Sequence, residues 1–216
     1  MRVNDSDIAE FQRCYPDMRL QPVSGHQTLF EGDFRFEAQF SNVVVADSYR
    51  LRLLAEHDAQ SLPTVWEIGS RIPKTAEHHV NPGGTLCLGS PIGLRVAAGR
   101  EPTLRSFADK CVVPYLFATS RILAGDKTYA FGELPHGDAG LMHDYRKRTG
   151  LQSREQIAAA LELLTLRRRI ANKQLCPCGC GRRLGRCKLR LRLNVFRHVA
   201  PRCFYARLLE ELPSGD

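Results

Sequence analysis

Several absences narrow this sequence before any motif is read. No stretch approaches the roughly 18 consecutive apolar residues of a membrane-spanning helix, so no membrane partner is expected. The opening run Met1-Arg2-Val3-Asn4-Asp5-Ser6-Asp7 is polar and acidic, unlike a secretory signal. A cytoplasmic protein is therefore expected. In that compartment thiols stay reduced, so clustered cysteines are read as metal ligands or nucleophiles rather than disulfides. The glycines between Gly93 and Gly99 are not followed by Lys-Ser/Thr, so there is no phosphate-binding loop and no sign that the chain itself uses ATP. No internal repeat is present. Finally, acid is missing from one long region: Leu166 to Leu209 holds 13 Lys or Arg and no Asp or Glu.

What remains fits a soluble globular chain of 216 residues, 43% hydrophobic and 25% charged. The net charge of +8 sits in the tail, because the first 165 residues carry 18 basic and 20 acidic side chains. A basic tail suits nucleic acid, acidic protein or anionic lipid, and charge alone does not choose. The length accommodates one ordinary domain plus an appendage, expected at 1–150 and 151–216.

An opening helix is predicted from Asp5 to Tyr15, capped by Asp5 or Ser6, with Ile8, Phe11 and Cys14 or Tyr15 on one face. Strict alternation over 34–40, again over 49–53, and the apolar step at 63–68 predict strands of an antiparallel meander, with Gly32-Asp33 as a turn. From Pro73 to Pro102 periodicity fades, and a long irregular stretch in a compact domain is usually functional. A second helix is predicted from Thr103 through Leu104, Phe107, Cys111, Tyr115 and Ile122, kinked or restarted at Pro114. A third starts at Ser153, where Ser153 and Gln156 form a capping box ahead of Ile157, Leu161 and Leu164.

The irregular stretch contains His78-His79-Val80-Asn81-Pro82-Gly83-Gly84-Thr85-Leu86-Cys87-Leu88. Cys87 is the candidate nucleophile. A thiolate attacks acyl groups well and leaves well, which suits a carrier that accepts an acyl group and passes it on. Such a carrier needs no strong base beside the thiol, since the incoming thioester is already activated. It needs a donor for the oxyanion formed on transfer. The Asn81 amide is the candidate donor, His79 the candidate loop organiser, and Pro82-Gly83-Gly84 the turn between them and Cys87. The plain alternative is a small buried hydrophobe between two leucines. His78, His136 and His143 are further candidates, otherwise surface histidines. Cys111, on the core stripe of the second helix, is expected to be buried and inert, and Tyr145 structural.

The order of elements and the steps His79-Val80-Asn81 and Leu86-Cys87-Leu88 resemble ubiquitin-conjugating enzymes over roughly Asp5 to Gly150. Leu62-Pro63 and Glu101-Pro102-Thr103-Leu104 resemble the segments before and after the family's active site. The chain departs from the family at Val80, where proline is usual, in a shorter triplet-to-cysteine gap, and in having Trp66 but no tryptophan after the cysteine. These departures point to divergent bacterial members. The resemblance implies an α+β core of an N-terminal helix, a four-strand antiparallel meander, an active-site loop and following helices, and a thioester on Cys87, with Asn81 stabilising the oxyanion and His79 organising the loop. It also implies a separate ATP-using activating enzyme, a ubiquitin-like modifier or a nucleotidyltransferase C-terminus as cargo, and a target protein, in a setting such as antiphage (CBASS-type) defence. Two rival functions remain open: a cysteine hydrolase or isopeptidase using Cys87 with a histidine base, and a non-enzymatic zinc adaptor with a basic tail.

The tail run Cys176-Pro177-Cys178-Gly179-Cys180-Gly181-Arg182-Arg183-Leu184-Gly185-Arg186-Cys187-Lys188 holds four cysteines in 12 residues. Tight turns between thiols are what a tetrahedral Zn site requires. The run resembles the SEC-C zinc motif, with Cys176, Cys178 and Cys187 at ligand positions and Lys188 where the fourth ligand normally stands. Cys180 is the expected replacement, with His198 or Cys203 as alternatives. Such modules commonly mediate protein contacts, so a protein partner is expected here over nucleic acid. The last segment, Phe204 to Leu212, is read as a short docking helix bearing Leu208, Leu209 and Leu212.

Overall fold

A computed structural model of the chain describes residues 3–23, 25–58, 61–100, 102–127 and 137–213. It is a mixed α+β protein dividing into two compact units, one made of 1–89 and 101–133, the other of 90–100 and 134–216.

The first unit opens with helix α1 (Asp5–Cys14). The cap is Asn4, not Asp5 or Ser6: the Asn4 side chain accepts from the Asp7 N–H at 2.9 Å, one residue earlier than the sequence suggests. Strands β1 (Met18–Gln21), β2 (Gln27–Phe40), β3 (Val43–Glu56) and β4 (Thr64–Glu67) follow as an antiparallel sheet in the order β1-β2-β3-β4. The expected four-strand meander is present, with longer strands than the alternation marks and with β1 as the strand it leaves unmarked. Strands β2 and β3 pair along their full length, from Gln27 opposite Glu56 to Phe40 opposite Val43. Their turn is Ser41-Asn42, where Ser41 takes the positive φ (54°) that a two-residue hairpin loop requires.

Gly32-Asp33 is not a turn. Gly32 lies inside β2, opposite Leu51 on one side and Met18 on the other. A Cβ there would collide with the Asp17 carbonyl oxygen, so this glycine permits close approach of the backbone before β1. One sheet face buries Phe30, Phe34, Leu51, Leu53 and Val65. Phe11 of α1 meets Phe30 with ring centroids 4.7 Å apart, and Tyr15 stacks on Phe34 at 4.2 Å. Each fully buried phenylalanine contributes roughly 2–3 kcal/mol.

The helix predicted from Thr103 forms α3 (Leu104–Phe107), a π turn over Ala108–Val112, and α4 (Val113–Leu123), which lies against β2 and β3. The restart expected at Pro114 is present: the π turn ends at Val112 and α4 begins at Val113, with Pro114 in its first turn, where a missing N–H costs no helical hydrogen bond.

The second unit contains α2 (Pro91–Ala98), α5 (Gly137–Thr149), α6 (Arg154–Thr165), α7 (Arg168–Ala171), α8 (Leu189–Val199) and α9 (Arg202–Glu210). Helix α2 falls in the stretch expected to be irregular; Ser90 caps it by accepting from the Gly93 N–H, with Pro91 at its first position. The Ser153–Gln156 capping box at α6 is formed as read. Helices α6 and α9 pack together over a core that includes Tyr145, Leu161, Leu193, Phe196 and Phe204. The docking-helix reading fails on burial: Leu208 and Leu212 are 3% and 6% exposed and belong to this core.

Candidate functional site

In the first unit, residues 79–87 form a tight hairpin beside β4. A 3-10 turn (Ala76–His78) delivers the chain into it, and His79 closes that turn in the left-handed region (φ 52°, ψ 44°). The Cys87 N–H donates to the His79 carbonyl at 2.7 Å, Val80 bridges Leu86, and the Asn81 N–H donates to the Thr85 carbonyl at 2.9 Å. The Gly84 N–H returns to the Asn81 carbonyl at 2.8 Å, with Gly84 at φ 77°. A reverse turn followed by a left-handed glycine is a standard three-residue hairpin loop, and Pro82 presets the φ of its first central residue.

The hairpin is anchored on both sides. The Leu86 N–H donates to the Val65 carbonyl of β4 at 2.8 Å, and Thr85 bridges Trp66. The Tyr115 hydroxyl of α4 donates to the His78 carbonyl at 2.8 Å. Val80 and Leu86 are buried at 7% and 6% exposure. Since they point inward, the flanking pairs Asn81–Thr85 and His79–Cys87 fall on the opposite face by register. The hairpin thus brings Cys87 against the His79 backbone. The Asn81 amide nitrogen donates to Thr85 Oγ1 at 2.9 Å, so the amide is engaged by that hydroxyl within the hairpin.

The Cys87 thiol is half-buried. Burial pushes its pKa up, and the Gly89 N–H partly offsets this. Neither influence is an imidazole. His78 instead faces Thr75, with Nδ1 2.9 Å from Oγ1. Cys111 is buried, its thiol pushed up to about 12 by burial, as befits an inert core position. His136 lies outside the described residues. His143 is exposed on α5, and Tyr145 is buried in the second unit's core. Sequence reasoning missed three supports of the loop: the Tyr115 hydroxyl, the Gly89 N–H and the Thr85 partner of Asn81. Of these only Thr85 carried a signal, standing four residues from Asn81 across a Pro-Gly-Gly turn.

In the second unit, the sulfurs of Cys176, Cys178, Cys180 and Cys187 all lie within 4.8 Å of one another. Cys176 and Cys178 are 3.2 Å apart, and Cys178 and Cys187 are 3.6 Å apart. A tetrahedron of bonds about 2.3 Å long has edges of roughly 3.8 Å, so the donor set and its dimensions fit a metal ion. The scaffold is a small knuckle: Leu175 bridges Arg183, the Cys176 N–H donates to the Arg182 carbonyl at 2.8 Å, and the 3-10 turn Leu184–Arg186 sets Cys187. Cys180 completes the group in place of Lys188; among the described residues neither His198 nor Cys203 joins it. The Arg182 backbone N–H, then the Cys178 side chain, bring the exposed Cys180 thiol down to about 6, while burial drives Cys176 up.

No helix among the described residues is long and apolar enough to cross a membrane. Compared with protein-family models, curated proteins and solved structures, the chain matches none of them.

Proposed function

We propose that this protein is a conjugating enzyme of the ubiquitin-conjugating type, carrying a modifier or protein C-terminus as a thioester on Cys87 and passing it to an amine. The observation that supports this best is the anchored hairpin 79–87, which holds Cys87 and Asn81 on one face beside the last strand of a four-strand meander. The long helix after it lies on the same sheet, the element order of that family. In the first step the Cys87 sulfur attacks the thioester carbonyl on a separate activating enzyme. A new thioester forms, and the activating enzyme's thiol leaves with the proton. In the second step a target amine attacks the Cys87 thioester. The amide bond forms, the C–S bond breaks, and the Cys87 thiol is regenerated. ATP is consumed only by the activating enzyme.

On this reading the Asn81 amide exchanges its Thr85 partner for the oxyanion during transfer, and His79 sets the loop through its carbonyl bond to the Cys87 N–H. A thiol whose pKa is raised by burial suits a carrier of already activated acyl groups. A hydrolase would need a thiolate–imidazolium pair.

The knuckle cysteines Cys176, Cys178, Cys180 and Cys187 would hold a structural Zn ion, as in a SEC-C motif. A complete set of four thiolates leaves no open position for a substrate. The basic surface around it suits docking of the activating enzyme, the modifier or the target. A bacterial conjugation system, of the antiphage CBASS type with a nucleotidyltransferase C-terminus as cargo, is the setting that fits this reading.

The test is to charge wild-type and Cys87→Ser protein with modifier, ATP and activating enzyme, and to read position 87 by mass spectrometry. A thiol-cleavable adduct on wild type and a thiol-resistant ester on Cys87→Ser are expected. With an activating enzyme shown to be active, absence of both removes the reading. Asn81→Ala should load normally and discharge to amines roughly 10- to 100-fold more slowly.

A further inference from the structure

The second unit also has a cleft of about 450 Å³ between the end of α6 and the start of α9, with no cysteine among its lining residues. Its polar lining is four arginines, Arg167, Arg168, Arg197 and Arg202, and its apolar lining includes Leu166 and Pro201. None of the four arginines makes an ion pair among the described residues. From Leu166 to Leu209 the sequence contains no Asp or Glu.

Arg197 is built in rather than dangling. Its guanidinium donates to the Leu166 carbonyl at 2.8 Å and also to those of Leu163 and Leu164, capping the end of α6. Burial, and then the nearby charges of Arg168 and Arg202, disfavour its cationic form, although the Tyr205 side chain partly offsets this. Arg167, Arg168 and Arg202 are exposed. Four like charges held around one concavity repel one another, and an anion placed among them relieves that repulsion. Guanidinium groups match phosphate oxygens in pairs. The first turn of α9 adds the positive end of its dipole at Arg202.

We propose that this cleft binds a small phosphate-bearing ligand, with its phosphate among Arg167, Arg168, Arg197 and Arg202 and its apolar portion against Leu166 and Pro201. The volume falls within the range of about 300–1,000 Å³ usual for small-molecule sites. The inference is independent of the chemistry at Cys87.

The test is titration of the full-length, metal-replete protein with inorganic phosphate and with phenyl phosphate at physiological salt, followed by calorimetry and backbone amide NMR. Saturable 1:1 binding is expected, tighter for phenyl phosphate, with shifts concentrated at residues 166–168 and 200–203. Arg168→Gln and Arg202→Gln should each weaken it roughly tenfold or more. Arg190→Gln removes an equal charge from an exposed site on α8 that does not line the cleft, and should leave it unchanged. Non-saturating shifts with both ligands in wild-type protein overturn the proposal, and so does equal weakening by Arg190→Gln. A single-stranded RNA that binds with a steep salt dependence and is not displaced by phenyl phosphate would also overturn it, because the basic surface would then be acting on a nucleic-acid backbone.

Discussion

Cys87 and Asp47 show how neighbouring dipoles decide what a titrating side chain can do. At Cys87 burial raises the thiol and a single N–H from Gly89 opposes it. The thiolate is then scarcer at neutral pH than on a free cysteine, whose pKa is about 8.5. Site-resolved alkylation with iodoacetamide should be slow at pH 7 and should accelerate as pH rises through and beyond the ordinary thiol range. A fast plateau reached below neutrality would mean a thiolate–imidazolium pair and would favour a hydrolase. Asp47 is the opposite case. Burial pushes its carboxyl up, but hydrogen bonds from Arg71, Ser120 and the Ser48 N–H outweigh it and hold the pKa at about 2. The bonds are short: Arg71 at 2.7 Å, Ser120 at 2.7 Å and the Ser48 N–H at 2.8 Å. The folded value lies below the unfolded one, so this stabilisation is fully present above roughly pH 5 and is lost as pH falls toward 2. With the side chain 22% exposed, the contribution is about 1–2 kcal/mol. Chemical denaturation of Asp47→Asn should show lower stability at pH 7 and a flatter decline between pH 5 and 2 than wild type. Parallel acid limbs for the two proteins would show that Asp47 is not the group involved.

At the scale of elements, the Asp47 network joins β3 to α4 through Ser120 and to the segment after β4 through Arg71, whose guanidinium also lies 4.3 Å from the Tyr49 ring centroid. The β1–β2 junction depends instead on one missing side chain, since Gly32 sits where a Cβ would strike the Asp17 carbonyl. Gly32→Ala should therefore destabilise the protein by roughly 2 kcal/mol or more, read from urea midpoints. Hydrogen exchange should place the damage in β1. An unchanged midpoint would mean that the Asp17 carbonyl moves aside at no cost. Gly32 marks where sequence reading reached its limit. A Gly-Asp pair has turn chemistry, and only the tertiary approach of Asp17 makes it a strand position. Strands β2, β3 and β4 were legible because one face is wet and the other dry, which writes a period of two into the sequence. Helix α6 was legible because its capping box is local. Helix α2 went unread although Ser90-Pro91 is a cap followed by proline, because the surrounding Gly and Pro residues masked eight helical residues. Helix α5 has Asp144 buried against Ser90 and Arg148, a polar contact that weakens any apolar stripe. The cysteine knuckle was legible from its close spacing, whereas the choice of Cys180 over His198 and Cys203 as its fourth member is visible only in the structure. The support of the Cys87 hairpin by Tyr115 was not, because 37 residues separate Tyr115 from His78.

At the scale of the whole molecule, the two units are stabilised differently. The first has an aromatic core between a sheet and helices. The second has helices whose core includes the sulfurs themselves: Cys176 and Cys187 are buried in the same cluster as Leu184, Leu193, Phe196 and Phe204. A divalent ion held by Cys176, Cys178, Cys180 and Cys187 would offset half of the charge of four thiolates and tie them together. Without it, the buried sulfurs lose the interaction that fixes the knuckle between α7 and α8. Structural zinc binding is worth on the order of 10 kcal/mol, comparable to the whole stability of a typical domain, about 5–15 kcal/mol. Stripping the metal with a strong chelator should therefore abolish hydrogen-exchange protection in α8 and α9 and weaken it in α6, while the β2–β3 hairpin keeps its protection. Re-addition of zinc should restore it at one ion per chain. Cys187→Ser should reproduce the stripped state, whereas Cys180→Ser, which removes an exposed sulfur, should lower metal affinity with less loss of helix protection. If α8 and α9 stay protected in protein verified to be metal-free, then Leu193, Phe196, Phe204 and their neighbours hold the second unit by themselves, and the four cysteines do not stabilise the fold through a metal.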